Sequence, residues 1–254
     1  MGRFIGPHGT ISKGGGTKTI MSSRPNFQDI YEHLSQTHLV PDLVSPSARL
    51  IFILESPHVQ EVRSGAPVSG TSGASMSKHL FGSEYAKSPL GLLAKKHAET
   101  ESESETEPDA LSPALAGVHR IGLMNVSNIP LQGSAYANLP LTSGDADMGD
   151  WFHAMEHVRT GNQTDEFRSW SANQVQTVLA GFSRGKLQSL TTRPCVLVPC
   201  GKFAQKFFRL ADVHSEVWQV ITGVPHPSYN SWDRNQYQSV VAQVQQAYHR
   251  ASFE

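Results

Sequence analysis

The sequence predicts an α/β fold, a three-layer α/β/α sandwich around a short, mainly parallel central sheet. Four short apolar runs, at residues 49–54, 120–125, 194–199 and 216–222, have the length and composition of strands. Longer segments with helical periodicity separate these runs. Strands that alternate with helices favour a parallel sheet that carries helices on both faces.

The helices are predicted from the spacing of apolar residues. One begins near Asn26 and places Phe27, Tyr31 and Leu34 on one face. Further helices are predicted at residues 72–81, 150–158, 164–187, 201–208 and 233–249.

The charge of the chain is unevenly distributed. The formal net charge is −1, but residues 99–109 include six acidic side chains and no basic one. The rest of the chain holds 21 basic against 16 acidic residues. Because such a segment has little apolar surface to bury, we expect a disordered acidic loop at about 97–113. The mildly basic remainder permits DNA binding without demanding it.

The length suits one domain over residues 25–254, preceded by a flexible tail over residues 1–24 that is rich in Gly, Ser, Thr and Lys. No apolar run approaches the roughly 18 residues of a membrane helix, and the first residues lack the core of a signal peptide. Cys195 and Cys200 fit a reducing compartment, and their spacing is wrong for a zinc site. These features fit a cytoplasmic protein with no membrane partner. We also expect a monomer, nucleoid-associated in a prokaryote, with no cofactor and no metal.

Polar segments follow the first and the last predicted strand. Residues 54–58 read Leu-Glu-Ser-Pro-His, and residues 65–73 read Gly-Ala-Pro-Val-Ser-Gly-Thr-Ser-Gly. Residues 223–228 read Gly-Val-Pro-His-Pro-Ser. The carboxyl ends of parallel strands meet at one edge of the sheet, where open α/β folds bind their ligands. We expect these segments to form one site.

These segments resemble the first and last active-site motifs of the uracil-DNA glycosylase superfamily. The first is closest to the branch with the signature Gly-Glu-x-Pro-Gly followed by Gly-x-Pro-Phe-x-Gly-x-x-Gly, although this chain lacks that branch's iron–sulfur cysteines. The second is similar to the superfamily's His-Pro-Ser loop. The resemblance covers roughly residues 50–232. It implies a glycosylase-like domain that hydrolyses the N-glycosidic bond of a nucleotide flipped out of the DNA stack.

The resemblance implies three catalytic residues. Glu55 supplies the anion that an oxocarbenium-like sugar requires. Ser56 stands where better-known uracil glycosylases carry a water-activating Asp, so Glu55 acts alone or His58 shares the positioning of the water. His226 is expected to donate a hydrogen bond to the departing base, which even a neutral imidazole can do.

The resemblance also implies the residues that hold the base. Asn125 ends the second predicted strand, where the family keeps an Asn that hydrogen-bonds to the base. Asn128 is the alternative candidate for this role. An amide can pair with uracil or, turned over, with cytosine, so Asn125 does not fix the base. Ser56 and Val68 are expected to line the base pocket.

Val68 is the main departure from the resembling branch, which has a Phe stacked on the base at this position. Base–aromatic stacking contributes about 1–3 kcal/mol, and Val cannot replace it. Val68 therefore favours a base larger than uracil, or stacking by another ring such as Tyr136 or Phe81.

DNA contacts are expected on both sides of the site. Tyr229 and Trp232 follow His226 in the loop that the family uses to wedge the duplex. Arg234 and Ser228 belong to the same loop and can meet phosphates. Ser72 begins a helix whose backbone N–H groups can bind a phosphate.

The expected activity is that of a monofunctional glycosylase on double- or single-stranded DNA, because no Lys lies within the motifs. Two substrates stay open: a bulky modified cytosine of phage DNA, which would make the protein a defence enzyme, and uracil in base-excision repair. A non-catalytic DNA-binding module instead predicts that Glu55 and His226 do not share a pocket. A metal-dependent phosphoesterase that uses His58, Glu61 and Glu55 predicts loss of activity with a chelator.

Overall fold

The computed structural model describes residues 25–103, 115–137 and 146–253. Its central sheet has the strand order β2-β1-β3-β4, and every neighbouring pair is parallel. The strands are β1 (Leu50–Leu54), β2 (Ile121–Asn125), β3 (Cys195–Pro199) and β4 (Trp218–Val220). The predicted α/β fold around a parallel sheet is confirmed.

Helices cover both faces of this sheet. They are α1 (Phe27–His38), α2 (Val59–Ser64), α3 (Thr71–Phe81), α4 (Leu90–Glu103), α5 (Ala146–Thr160), α6 (Trp170–Gln188), α7 (Gly201–Ala211) and α8 (Gln238–Phe253).

The central strand β1 shows how the layers form. Successive side chains of a strand point to opposite faces. Leu50, Phe52 and Leu54 belong to a core cluster with residues of α3, α4 and α8. Ile51 and Ile53 belong to a second cluster with residues of α1, α5, α6 and α7. The two clusters are the two helix–sheet interfaces of an α/β/α sandwich, as predicted.

Several predicted boundaries differ from the observed ones. The edge strand β4 covers only Trp218–Val220 of the predicted 216–222. Helix α6 begins at Trp170 instead of 164, because the Asn173 side chain exchanges hydrogen bonds with the backbone of Phe167 at 2.8 and 2.7 Å. Helix α8 begins at Gln238 instead of 233, because short 3-10 segments precede it.

Helices α2 and α4 were not predicted. Because α4 continues to Glu103, the disordered loop expected over 97–113 is wrong for residues 97–103. The remainder of that loop and the expected tail over residues 1–24 lie outside the described residues. Cys195 and Cys200 are both free and buried. Among the described helices, none is long and apolar enough to cross a bilayer.

Candidate functional site

A cavity of about 660 Å³ opens at the carboxyl edge of the sheet. The ends of β1 and β2, the loop after β4, the first turn of α3 and the end of α5 all contribute to its walls. It therefore lies where the sequence placed the site. The predicted residues that line it are Glu55, Ser56, His58, Val68, Ser72, Asn125, His226, Ser228 and Tyr229.

Glu55 follows β1 directly, and its backbone carbonyl accepts a hydrogen bond from Ser127 N–H at 3.1 Å. This bond ties the end of β1 to the end of β2. Burial raises the pKa of the Glu55 carboxyl, and the positive charge of Arg159 acts in the opposite direction on that pKa. The site thus holds a desolvated carboxyl group and a cation whose charge acts on it.

Arg159 is a residue that the sequence did not reveal. It lies at the end of α5 and lines the same cavity as Glu55. Its Nε is buried and has no hydrogen-bond partner among the described residues. No motif surrounds this position, so only the folded chain brings it to the site. Gln60, Gln132 and Asn230 are further polar lining residues that were missed.

Glu61 organises the loop between β1 and α3. Its carboxylate accepts hydrogen bonds from the backbone N–H of His58, at 2.5 Å, and from that of Val68. Burial raises the pKa of the Glu61 carboxyl despite these two bonds. Because each carboxylate oxygen accepts a hydrogen bond from the backbone of this loop, Glu61 stabilises the loop conformation.

Val68 occupies a strained position in that loop. Its φ of 45° lies in the left-handed region, which is a costly conformation for a β-branched residue. The loop passes very close to α3 and α4: a Cβ on Gly73 would lie 1.7 Å from the Val68 carbonyl oxygen, and one on Gly91 would lie 1.7 Å from that of Pro67. The two glycines and Glu61 therefore hold Val68 against the cavity.

His226 is held as a neutral donor. Its Nδ1 accepts a hydrogen bond from the backbone N–H of Ser228 at 3.3 Å and lies 2.9 Å from Ser228 Oγ. Because a backbone N–H can only donate, we assign the ring proton to Nε2. Burial lowers the pKa of His226 to about 4. The neutral ring thus offers one N–H donor at neutral pH.

The loop that carries His226 is fixed to the turn between β3 and α7. The Val224 carbonyl accepts hydrogen bonds from Gly201 N–H at 2.8 Å and from Gln205 Nε2 at 3.0 Å. Gly201 has a φ of +84°, and a Cβ there would lie 2.8 Å from His226 Cβ. Only glycine fits so close to His226 in this conformation.

Asn125 is locked through its backbone. Its N–H donates to Asp42 Oδ1 at 3.0 Å, and its carbonyl accepts from Lys186 Nζ at 2.6 Å. Lys186 and Asp42 form an ion pair at 2.9 Å. The Asn125 side chain is 1% exposed, and its Nδ2 has no partner among the described residues. A buried amide with an unused donor is suited to donate a hydrogen bond to a ligand.

Three of the secondary expectations about base contacts are wrong. Asn128 cannot be the alternative residue that hydrogen-bonds to the base, because its Nδ2 donates to Asp42 and to the Val40 carbonyl, both at 2.8 Å. The Tyr136 hydroxyl donates to the Pro130 carbonyl at 2.7 Å inside the core. The Phe81 ring packs against Tyr85 and Tyr248. Neither ring lines the cavity, so neither stacks on a base there.

The two aromatic residues after His226 have opposite environments. Tyr229 lies at the cavity and is 89% exposed, with a left-handed φ of 54°. Trp232 is 1% exposed, and its Nε1 donates to the Pro225 carbonyl at 3.0 Å. The wedge role expected for Trp232 therefore does not fit; this ring supports the loop from beneath. Arg234 is exposed outside the cavity and donates to the Tyr229 carbonyl at 3.4 Å.

The first turn of α3 faces the cavity. Gly70 caps this helix without a side-chain hydrogen bond, and Thr71 and Ser72 line the cavity. The first turn contains no acidic residue. Free backbone N–H groups at a helix start favour an anion, so this turn can receive a phosphate of a bound nucleotide.

In the described part of the chain, no three His, Cys, Asp or Glu side chains are grouped so that they could hold a metal ion. Glu61, which the phosphoesterase reading requires as a ligand, binds backbone donors with both oxygens.

Comparisons with protein-family models, with curated proteins and with solved structures find no match for this chain. The resemblance to the glycosylase superfamily thus depends on the short motifs and on the arrangement of their residues.

Proposed function

We propose that this protein is a monofunctional DNA glycosylase that removes a modified pyrimidine flipped out of DNA. The observation that carries the proposal is the convergence of Glu55, Asn125 and His226 on one cavity from the ends of three strands. A non-catalytic DNA-binding module would not need Glu55 and His226 in one pocket, so this arrangement favours the enzyme.

Each of these residues has a role in the proposed reaction. Water adds to C1′ of the sugar as the bond to the base breaks, and the base departs with the electron pair. The Glu55 carboxylate stabilises the cationic sugar and takes the proton of the water. The Nε2–H of neutral His226 stabilises the negative charge on the departing base, which then takes up a proton. The Asn125 amide pairs with the edge of the base.

Nucleotide flipping is assigned to the rim of the cavity. In this proposal the Tyr229 ring, which is exposed at the cavity, occupies the gap that the flipped base leaves in the stack. Ser72 and the first turn of α3 bind a neighbouring phosphate. We propose a cytoplasmic location for this activity, with which two free, buried thiols are compatible.

The base that we favour is a bulky modified cytosine, as found in modified phage DNA, which would make the protein a defence enzyme. Tyr229 is the only Phe, Tyr or Trp among the described lining residues, and it lies at the mouth. Val68 supplies no stacking surface, and Gln60, Gln132 and Arg159 add polar groups beyond those that a plain uracil requires. Uracil is the second candidate, because the Asn125 amide can pair with it equally well.

The proposal is tested by incubating the protein with uracil-containing, hydroxymethylcytosine-containing and glucosylated DNA and measuring abasic sites. We expect base release from one of these DNAs and a loss of about 100-fold or more in Glu55→Gln and in His226→Ala. The variant Arg168→Gln, which changes an exposed residue, is the control for effects of purification and folding. Absence of abasic sites on all three DNAs, or full activity of both variants, would refute the assignment.

A further inference from the structure

A second cavity, of about 430 Å³, lies at the opposite edge of the sheet from the candidate active site. Arg49 and Arg120 directly precede β1 and β2, and Arg250 lies near the end of α8; all three line this cavity. A five-residue strand spans about 16 Å, so β1 separates the two cavities by about that distance.

The cavity concentrates positive charge. Its described lining residues include three arginines and no Asp or Glu. Within the described residues, no acidic side chain forms an ion pair with Arg49, Arg120 or Arg250. Burial raises the pKa of the Cys195 thiol in the wall to about 11, so this group adds no negative charge at neutral pH. Like charges that share a cavity repel, and a bound anion would relieve that repulsion.

Two of the guanidinium groups are held in place by neutral partners. Arg49 Nη1 donates to the carbonyls of Pro46 and Ala48, both at 3.2 Å. Arg120 Nε donates to His119 Nε2 at 3.0 Å. A guanidinium has five N–H donors, so each retains donors for a ligand. These contacts orient the groups without neutralising them, which lowers the entropic cost of binding.

The rest of the lining defines the ligand further. Val196, Val217 and Ala247 make part of the wall apolar, and Gln219 adds an amide. Arginine forks match the geometry of phosphate oxygens, and apolar walls suit a planar organic group. The volume lies within the range of small-molecule sites, about 300–1,000 Å³.

We propose that this cavity binds a small phosphorylated ligand of the nucleotide class, held through its phosphates by Arg49, Arg120 and Arg250. This site is independent of the glycosylase activity proposed above. The concave shape favours a free nucleotide over the backbone of a DNA duplex.

Isothermal titration calorimetry of the full chain with ATP, AMP and pyrophosphate tests the site. We expect ATP to bind in one equivalent and the double variant Arg120→Gln/Arg250→Gln to bind at least about tenfold more weakly. The matched control replaces two exposed arginines elsewhere, Arg63→Gln/Arg168→Gln, and should keep the wild-type affinity. Arg49 is left intact because it also binds the chain's own carbonyls.

Folding and DNA binding are separated by further measurements. Thermal unfolding without ligand should be the same for both double variants, and ATP should raise the midpoint for wild type and control. If the glutamine double variant is unstable, Arg120→Lys/Arg250→Lys keeps the charge, loses the fork geometry and should still bind ATP more weakly than wild type.

Three results would overturn the proposal: no binding of ATP or pyrophosphate to wild type up to about 1 mM, equal weakening in the control, or a response of an unmodified DNA duplex alone. Because no glycosylase substrate is used, failure of the proposed activity would leave this test unaffected.

Discussion

Removing the positive charge of Arg159 should change the pH range in which the protein works. Burial raises the pKa of the Glu55 carboxyl, while Arg159, in the same cavity, lowers it. In the proposed reaction Glu55 acts in its ionised form, so the rate of base release should fall as the pH drops through this pKa. The variant Arg159→Gln loses the cation, so the acid limb of the pH–rate profile should move to higher pH.

The expected size of this shift follows from the general effect of a neighbouring cation on the pKa of a carboxyl group. An opposite charge near a partly desolvated carboxylate lowers its pKa by about 1–3 units, so we expect the limb to move by about one unit or more. Burial lowers the pKa of His226 to about 4, so this ring stays neutral over most of that range and causes a separate fall only near pH 4. Arg159→Lys keeps a positive charge and should retain most of the wild-type profile.

The assay is single-turnover base release between pH 4 and 8, plotted as the shape of the profile for wild type, Arg159→Gln, Arg159→Lys and the surface control Arg168→Gln. A direct measurement that needs no substrate is the carboxyl ¹³C titration of Glu55, assigned with the variant Glu55→Gln. If the limb and the titration stay in place in Arg159→Gln while only the maximal rate drops, Arg159 acts by contact alone and the electrostatic reasoning is wrong.

Three further results are expected. Trp232→Ala should destabilise the fold by about 3–5 kcal/mol, whereas Tyr229→Ala should leave the midpoint of chemical unfolding nearly unchanged and slow base release from duplex DNA more than from single strands; equal losses on both DNAs would show that Tyr229 is no wedge. Val68→Phe should depress activity on a bulky modified cytosine relative to uracil, and an unchanged ratio of the two rates would contradict the enlarged pocket. Glu55→Gln should be more stable than wild type at neutral pH, because the folded-state pKa of Glu55 is raised and the ionised carboxylate is therefore unfavourable in the folded protein. The difference in stability should shrink in acid, as the wild-type carboxyl takes up its proton. A lower midpoint of chemical unfolding for the variant at pH 7 would argue against a desolvated carboxylate.

The sequence sufficed for the residues at the carboxyl ends of the strands. Glu55 and Asn125 could be placed at one edge because buried apolar runs identify β1 and β2, and parallel strands align their carboxyl ends. His226 required only the additional assumption that its short loop returns to that edge. The role of Arg159 could not be predicted from the sequence, because this residue lines the cavity from helix α5, whose position depends on packing against α6.

The orientation of side chains within loops could not be predicted from the sequence either. Tyr229 and Trp232 lie three residues apart in one polar loop, and nothing in that pattern says which ring turns inward. The structure decides this by giving the Trp232 Nε1–H a buried acceptor at the Pro225 carbonyl and a packing partner in Phe52. A buried indole needs such an acceptor, whereas the Tyr229 hydroxyl can bind water.

Local features that are unfavourable to folding are concentrated at the candidate active site. Among the described residues, four other than Gly have a positive φ, and three of them, Val68, Tyr229 and Asn230, line the cavity. The same cavity holds the desolvated Glu55 carboxyl and a buried Asn125 amide with an unused donor. Each feature costs stability, and of these residues only Val68 belongs to one of the two hydrophobic clusters that form the core. Their coincidence at the meeting point of three strand ends is therefore better explained by binding and chemistry than by packing, and the gain in stability expected for Glu55→Gln measures one part of that cost directly.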